Sequence, residues 1–453
     1  MHNTAEVNAL SAAAASGQPE AQYRLGALHF SRGEIREALE WLERAARHDV
    51  PEACNLLGLM HLNGIGVPQQ PTLAAGYLQR AAERGLKEAC YTLGNLMFNG
   101  IGVAVDGARA SDFLLRAAEL HHLPALRTLG LLHCLAEHGS TQNAVALYCL
   151  RQAAQGGDAL SQYLLATQLL QQSVVAAQAE GLHWLQQAAN RQVHCAVTRL
   201  ERLATGPDHE RWQSLAQMYR PEGAPGRPPA LTVPDLQKLA RTDSAVVEAT
   251  VPGTVWEITQ VLAPLVCEHF MNLARPALTP SYVADPDTGK LLTNDVRTSS
   301  SMFFQLSMYD FIAGLALRQI ASLAGHDIAQ AEPLAVLRYL PGQQYKPHFD
   351  YFVSRGNREE LVDGRGGQRQ TTLFVYLNDV EAGGETDFPR LHACVLPAQG
   401  RAVKFVNLDA HGEPDTRTLH AGKPVIRGEK WLLTVWFRQR PFVWGELQSQ
   451  PGV

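Results

Sequence analysis

A double alanine returns at Ala45, Ala81, Ala117, Ala153 and Ala188, at intervals of 36, 36, 36 and 35 residues. The segments ahead of it keep the same phase: AQYRLGALHF (21–30), ACNLLGLMHL (53–62), ACYTLGNLMF (89–98) and ALRTLGLLHC (125–134), with SQYLLATQLL (161–170) as a weaker fifth copy. A period in this range leaves little choice of fold. Each copy is long enough for two helices and too small to bury its apolar face alone, so the copies must stack into an α-solenoid. Small residues at fixed places let paired helices approach closely, and NGIGV (63–67 and 99–103) supplies the turn between them. Cys54 and Cys90 occupy equivalent places in successive copies and read as buried small residues. Tyr77, Phe113, Tyr148 and Trp184 sit at helical-hairpin spacing, which is the pattern of core.

The pattern resembles Sel-one-like repeats, relatives of the tetratricopeptide class. The resemblance implies a concave surface that grips a protein partner or presents a peptide; the plainer reading is stabilisation or self-association. His209 to Tyr219 reads as one more helix closing the array, and MYRPEGAPGRPPALTVP (218–234), rich in Pro and Gly, as an extended connector. The 453-residue chain thus divides into an N-terminal segment (1–17), a solenoid (18–205), a capping helix with linker (206–245) and a second domain (246–445).

The second domain changes period. LRYLPGQQYKPHFDYF (337–352) alternates with aromatics, TTLFVYLNDV (371–380) is a β-branched and aromatic run, and GGETDFP (383–389) turns into a further short strand. AVKFVNL (402–408) and KWLLTVWF (430–437) follow, each bounded by Gly, Pro, Asp or Asn. Short strands so separated predict an antiparallel jelly-roll (double-stranded β-helix) barrel with flanking helices and a site in its mouth. The whole chain reads as a multidomain α + β protein.

Four residues carry chemistry. His348 and Asp350 are two apart and face one side of a strand. His420, 70 residues beyond Asp350, can reach the same point from another strand. Two His and one carboxylate occupy one face of an octahedral metal and leave three positions open, the ligand set of non-haem Fe(II) oxygenases. Lys430 follows His420 by ten residues across AGKPVIRGE, whose Gly and Pro predict a hairpin. That hairpin returns Lys430 along the barrel wall toward the far carboxylate of a chelating diacid. Lys423 is the competing cation, but it lies in the turn.

Over residues 255–440 these motifs resemble the 2-oxoglutarate- and Fe(II)-dependent prolyl 4-hydroxylase family. The resemblance also takes in CEHFMNLARPALTPSYV (267–283) and NDVRTSSSMFF (294–304). It implies iron held by His348, Asp350 and His420, and 2-oxoglutarate held by Lys430 with Thr386 and Tyr339, against a wall formed by Trp436. It implies a protein or peptide substrate hydroxylated at proline, met by Tyr345 and Arg369, with O2 consumed, succinate and carbon dioxide released, and ascorbate as reductant. Arg438 departs from relatives that carry a His there. Lys430, where nucleic-acid demethylases of the superfamily generally use Arg, favours the collagen and plant-like branch. The competing readings are a same-fold oxygenase for another residue or a small molecule, and a non-catalytic repeat scaffold.

A formal charge of −5 with a pI near 6.4 offers no polycationic surface, so nucleic acid is not the expected partner. No basic stretch precedes an apolar core at the N-terminus, and no apolar run reaches membrane-spanning length. Seven scattered cysteines suit a reducing cytoplasm. Residues 355–370 follow the His348 strand and read as a loop able to close over a substrate or as a plain solvated hairpin.

Overall fold

The computed structural model of the chain describes residues 4–136, 140–219, 228–242, 245–284, 291–292, 296–352 and 366–442. The loop expected over 355–370 lies outside these residues for most of its length. By contacts the chain forms two units, neither of which is one stretch of sequence: the first comprises residues 1–187, 210–236 and 305–314, the second 188–209, 237–304 and 315–453.

The first unit is helical throughout its repeats, which pair Pro19–Ser31 with Ile35–Ala46, Pro51–Asn63 with Pro71–Glu83, Lys87–Asn99 with Gly107–Glu119, Leu123–Leu135 with Ser140–Gln155, and Ala159–Leu170 with Val175–Asn190. The five phased alanines are fully buried, as are Cys54 and Cys90. Glycines let the helices of a pair close up: a Cβ at Gly58 or Gly130 would lie within 2.8 or 2.7 Å of Leu78 or Leu150. In each NGIGV loop the first glycine, Gly64 or Gly100, caps the preceding helix in the left-handed region. The second presses on the preceding repeat, where a Cβ at Gly66 would meet Ile35 and one at Gly102 would meet Pro71. The loop asparagines reach 305–314 within this unit. Asn63 Oδ1 accepts from Ser307 N at 3.3 Å, Asn99 Nδ2 donates to Tyr309 O at 3.0 Å, and the Phe98 and Phe311 rings stack at 4.6 Å. The expected closing helix is present as His209–Met218, with Arg211 donating to Gln178.

The described strands of the second unit form four antiparallel sheets, two of them two-stranded ribbons and two of them larger. Of the latter two, the larger runs, edge to edge, Val246–Val251, Val255–Thr259, Ala402–Val406, Arg369–Tyr376, Lys430–Arg438, Ala335–Tyr339, Ser300–Phe303 and Thr279–Pro280; the smaller runs Ala393–Val395, Thr386–Phe388, His420–Gly422 and Tyr345–His348. The β-branched and aromatic runs became strands because alternate residues have a core to face. Leu337, Tyr339, Phe374, Tyr376, Phe405, Leu432 and Trp436 from the larger sheet meet Phe388, Ala393 and Val395 from the smaller in one buried cluster. Lys430–Arg438 is buried at every position. The helix Pro264–Ala274 flanks the sheets, and Asn272 on it donates to Cys195 Sγ of His194–Thr205, a helix belonging to this unit. No helix among the described residues is long and apolar enough to cross a membrane.

Candidate active site

Tyr345–His348 and His420–Gly422 pair antiparallel with His420 directly opposite His348, so the two imidazoles share one face of the smaller sheet. Their ring centroids are 4.2 Å apart. Asp350 completes the group: its Oδ1 lies 3.6 Å from His348 Nε2 and its Oδ2 3.8 Å from His420 Nε2. The ring nitrogens that point away are committed. Nδ1 of His348 is 2.9 Å from Lys346 O, and Nδ1 of His420 is 3.0 Å from Thr418 O. A carbonyl can only accept, so each Nδ1 carries a proton, and each Nε2 is the ring nitrogen turned toward Asp350.

Protonation states agree with that geometry. Burial, with His420 beside it, holds His348 well below the ordinary imidazole value. Burial alone would raise Asp350, yet His420, His348, Arg369 and a hydrogen bond from Thr372 keep it at about 2. One imidazole nitrogen from each His and one oxygen of the ionised carboxylate, all within 4.8 Å of one another, are the donor types a divalent metal takes. The residues fit a two-His, one-carboxylate metal centre. Phe405 and Phe388 close over His420, with ring centroids at 4.6 and 5.6 Å, and keep that side apolar.

Lys430 opens the central strand of the larger sheet opposite Tyr339. It is 2% exposed, and burial, opposed only by Glu385, lowers its pKa to about 7. The ammonium lies 5.4 Å from the centroids of both Tyr339 and Tyr376. It makes no ion pair or hydrogen bond among the described residues. Two glycines leave it room: a Cβ at Gly384 would stand 3.3 Å from Lys430 Cδ, and one at Gly422 would stand 3.6 Å from its Nζ. Gly422 is two residues from His420, so the buried cation lies beside the metal-ligating strand. Thr386, opposite Gly422, shares a 2.7 Å hydrogen bond with the Tyr376 hydroxyl. Lys423 instead is exposed and pairs with Asp387 at 3.2 Å.

Trp436, six residues along the strand from Lys430, faces the same side. Its Nε1 is buried with no partner among the described residues, the Arg369 guanidinium stands 4.2 Å above its ring, and Phe303 stacks at 6.5 Å. Tyr345 lies flat on His348, with centroids 3.3 Å apart, beneath Arg297. Arg369 is closed on Glu332 through two bonds of 2.7 Å and reaches Asp350 O at 3.4 Å. Glu332 also accepts from Arg438 Nε at 2.5 Å. Sequence reading missed Tyr376, Glu332, Thr372 and Asn407. Tyr376 and Thr372 lie inside a strand that reads as core, and no local pattern marks the other two.

Residues 334–438 match the 2OG-Fe(II) oxygenase superfamily, and residues 19–50, 51–86, 87–122, 129–158 and 159–193 match the Sel1 repeat. Prolyl 4-hydroxylase 1 of Arabidopsis thaliana is 40% identical over 194 residues, covering 40% of this chain and 66% of that protein. Prolyl 4-hydroxylase subunit alpha-1 of Rattus norvegicus is 41% identical over 174 residues, covering 38% of this chain and 32% of that protein. The viral collagen prolyl hydroxylase of Paramecium Bursaria Chlorella virus-1, solved in complex with 2OG, is 26% identical with a TM-score of 0.33, covering 42% of this chain and 98% of that one. The chain spans just under two thirds of the length of the first curated relatives it matches.

Proposed function

From the premise that this chain carries a 2OG-Fe(II) oxygenase domain and Sel1 repeats, we propose that it is an Fe(II)- and 2-oxoglutarate-dependent dioxygenase that hydroxylates proline in a protein or peptide. The observation that carries this reading is the meeting of two features, one from each of the two larger sheets. Three donor groups converge at His348, Asp350 and His420, and the buried Lys430 ammonium near them makes no ion pair among the described residues. A fold does not keep an uncompensated cation in its core without cost. A dicarboxylate that chelates the metal at one end and meets Lys430 at the other removes that cost.

When bound, Fe(II) with 2-oxoglutarate and O2 supplies the oxidation: one oxygen atom enters a substrate C–H bond, and the other enters succinate as carbon dioxide leaves. The chain's own residues do the rest. His348, Asp350 and His420 would hold the metal. Lys430, with Thr386 and Tyr339, takes the distal carboxylate, and Trp436 bounds the co-substrate. Phe388 and Phe405 keep water from the His420 side. Tyr345, flat against His348, is our candidate for the residue a peptide meets beside the metal. For Arg369 to meet a peptide, its fork would have to leave Glu332. We assign the repeats to holding a protein partner or substrate on surface other than that taken by 305–314.

The test is succinate release by the full chain with Fe(II), ascorbate and 2-oxoglutarate, with and without a proline-rich peptide. Peptide-stimulated succinate with one oxygen gained at proline is the expected result. Succinate without any peptide effect would leave an oxygenase for a different substrate. No succinate from iron-loaded protein would overturn the proposal.

A further inference from the structure

Asp350 is the one anion among the three donors, and the group that grips it comes from the opposite sheet. Thr372 stands on Arg369–Tyr376 of the larger sheet, opposite Trp436 on one side and Phe405 on the other. Asp350 follows Tyr345–His348 of the smaller sheet. Thr372 Oγ1 lies 2.8 Å from Asp350 Oδ2. An ionised carboxylate can only accept, so the hydroxyl proton points at it. The hydroxyl oxygen is thereby left as an acceptor, and Asn407 Nδ2 donates to it at 2.9 Å. Asn407 is anchored through its backbone, its N donating to Gln370 O at 2.8 Å and its O accepting from Asp415 N at 2.9 Å. Chemistry sets every hydrogen in the series: the amide donates, the hydroxyl passes the polarity on, the carboxylate receives.

Packing does not explain why an amide stands at 407. Asn407 is fully buried, and its Oδ1 has no partner among the described residues. An unsatisfied buried acceptor costs stability, about 1–3 kcal/mol, so an apolar side chain of similar size would serve the fold at least as well. The Nδ2 bond to Thr372 is what the amide adds.

We infer that Thr372 and Asn407 are positioning residues for the metal carboxylate, fixing the rotation of Asp350 so that Oδ2 is committed to Thr372 and Oδ1 is left to the metal. The inference rests on the metal reading above. Its test is a titration of the full chain with Co(II), followed by visible absorption, with the melting temperature of the metal-free protein recorded in parallel. Thr372→Val removes the hydroxyl at constant shape, and Co(II) affinity should fall by about 10- to 100-fold. Thr372→Ser should restore it to near the parent value. Asn407→Leu should weaken Co(II) by a smaller factor while the metal-free melting temperature holds or rises; a merely structural amide would lower it. Parent-like Co(II) affinity in Thr372→Val overturns the inference while leaving the metal site standing. If Thr372→Val does not fold, parent-like affinity in Asn407→Leu overturns it instead. A parent chain that takes up Co(II) no better than His348→Ala overturns the metal reading and the inference with it.

Discussion

Lys430 is where one residue's environment makes the sharpest prediction. Burial draws its pKa from the ordinary value of 10.5 to about 7. Between those two values the unfolded chain binds the proton and the folded chain does not, so folding stability rises with pH across the window. Below pH 7 the folded core carries the charge, and the destabilisation is greatest. Lys430→Met keeps the length and removes the charge. Without 2-oxoglutarate the variant should be the more stable protein, by a margin largest below pH 7 and shrinking toward pH 10.5. With 2-oxoglutarate the sign reverses. Losing a charge-assisted bond of about 1.5–3 kcal/mol should weaken the co-substrate by about ten- to a hundredfold. Melting curves and 2-oxoglutarate titrations of the two proteins decide it, and unchanged affinity in the variant would remove Lys430 from the co-substrate site. His348, Asp350, His420 and Lys430 were legible because charged and imidazole side chains at strand spacing stand out against apolar runs. Thr372 was not, since in TTLFVYL its hydroxyl counts only as a β-branched strand former. Asn407 was hidden differently, because an Asn at a strand's end reads as a turn.

At the scale of elements, the repeat is written most plainly in its loops. In NGIGV the second glycine of each copy presses on the first residue of the second helix in the copy before: Gly66 on Ile35 and Gly102 on Pro71. The spacing is 31 residues both times, so the contact is part of the period. A Cβ at Gly102 would come within 2.3 Å of the Pro71 backbone, and the φ of +68° already disfavours any other residue. Left-handed backbone alone costs a substituted residue about 1–2 kcal/mol, and the clash adds to it. Gly102→Ala should therefore lower the unfolding free energy by about 2 kcal/mol or more. Gly107→Ala, where a Cβ meets nothing within 4 Å, should be neutral or slightly stabilising. Urea denaturation of both checks this, and equal midpoints would show that the loops do not set the stacking. Helices and their pairing could be read from the alanine phase alone. The strand runs of the second unit were legible too, but their partners were not. That His420 would face His348 depends on which strands join the smaller sheet, and strand pairing between distant segments leaves no periodic trace.

For the molecule as a whole, pattern and contact part company at His194–Thr205. The Sel1 matches run to residue 193, and the helix after them continues the same amphipathic rhythm, so nothing in the sequence separates it from the repeats. Its contacts do. It belongs to the second unit, where Cys195 accepts from Asn272 at 3.5 Å and His194 lies 3.9 Å from Glu429. Glu429 is itself held by Arg275 at 2.9 Å, Arg338 at 2.6 Å and Trp431 Nε1 at 2.8 Å, and it immediately precedes Lys430. The helix thus backs the start of the strand that carries the buried cation, and tertiary contact rather than repeat phase fixes where the second unit begins. Two fragments separate these descriptions, one spanning 188–453 and one spanning 206–453. Both contain 305–314 without the repeats that hold it, so the comparison isolates the helix. The longer fragment should melt higher by several degrees, since about 1–2 kcal/mol of lost packing moves a domain of this size by roughly 2–8 °C. It should also bind 2-oxoglutarate more tightly in the presence of a divalent metal, because the Glu429 cluster beside Lys430 is complete. Identical melting temperatures would return the helix to the repeats and leave the Glu429 cluster to stand on its own arginines.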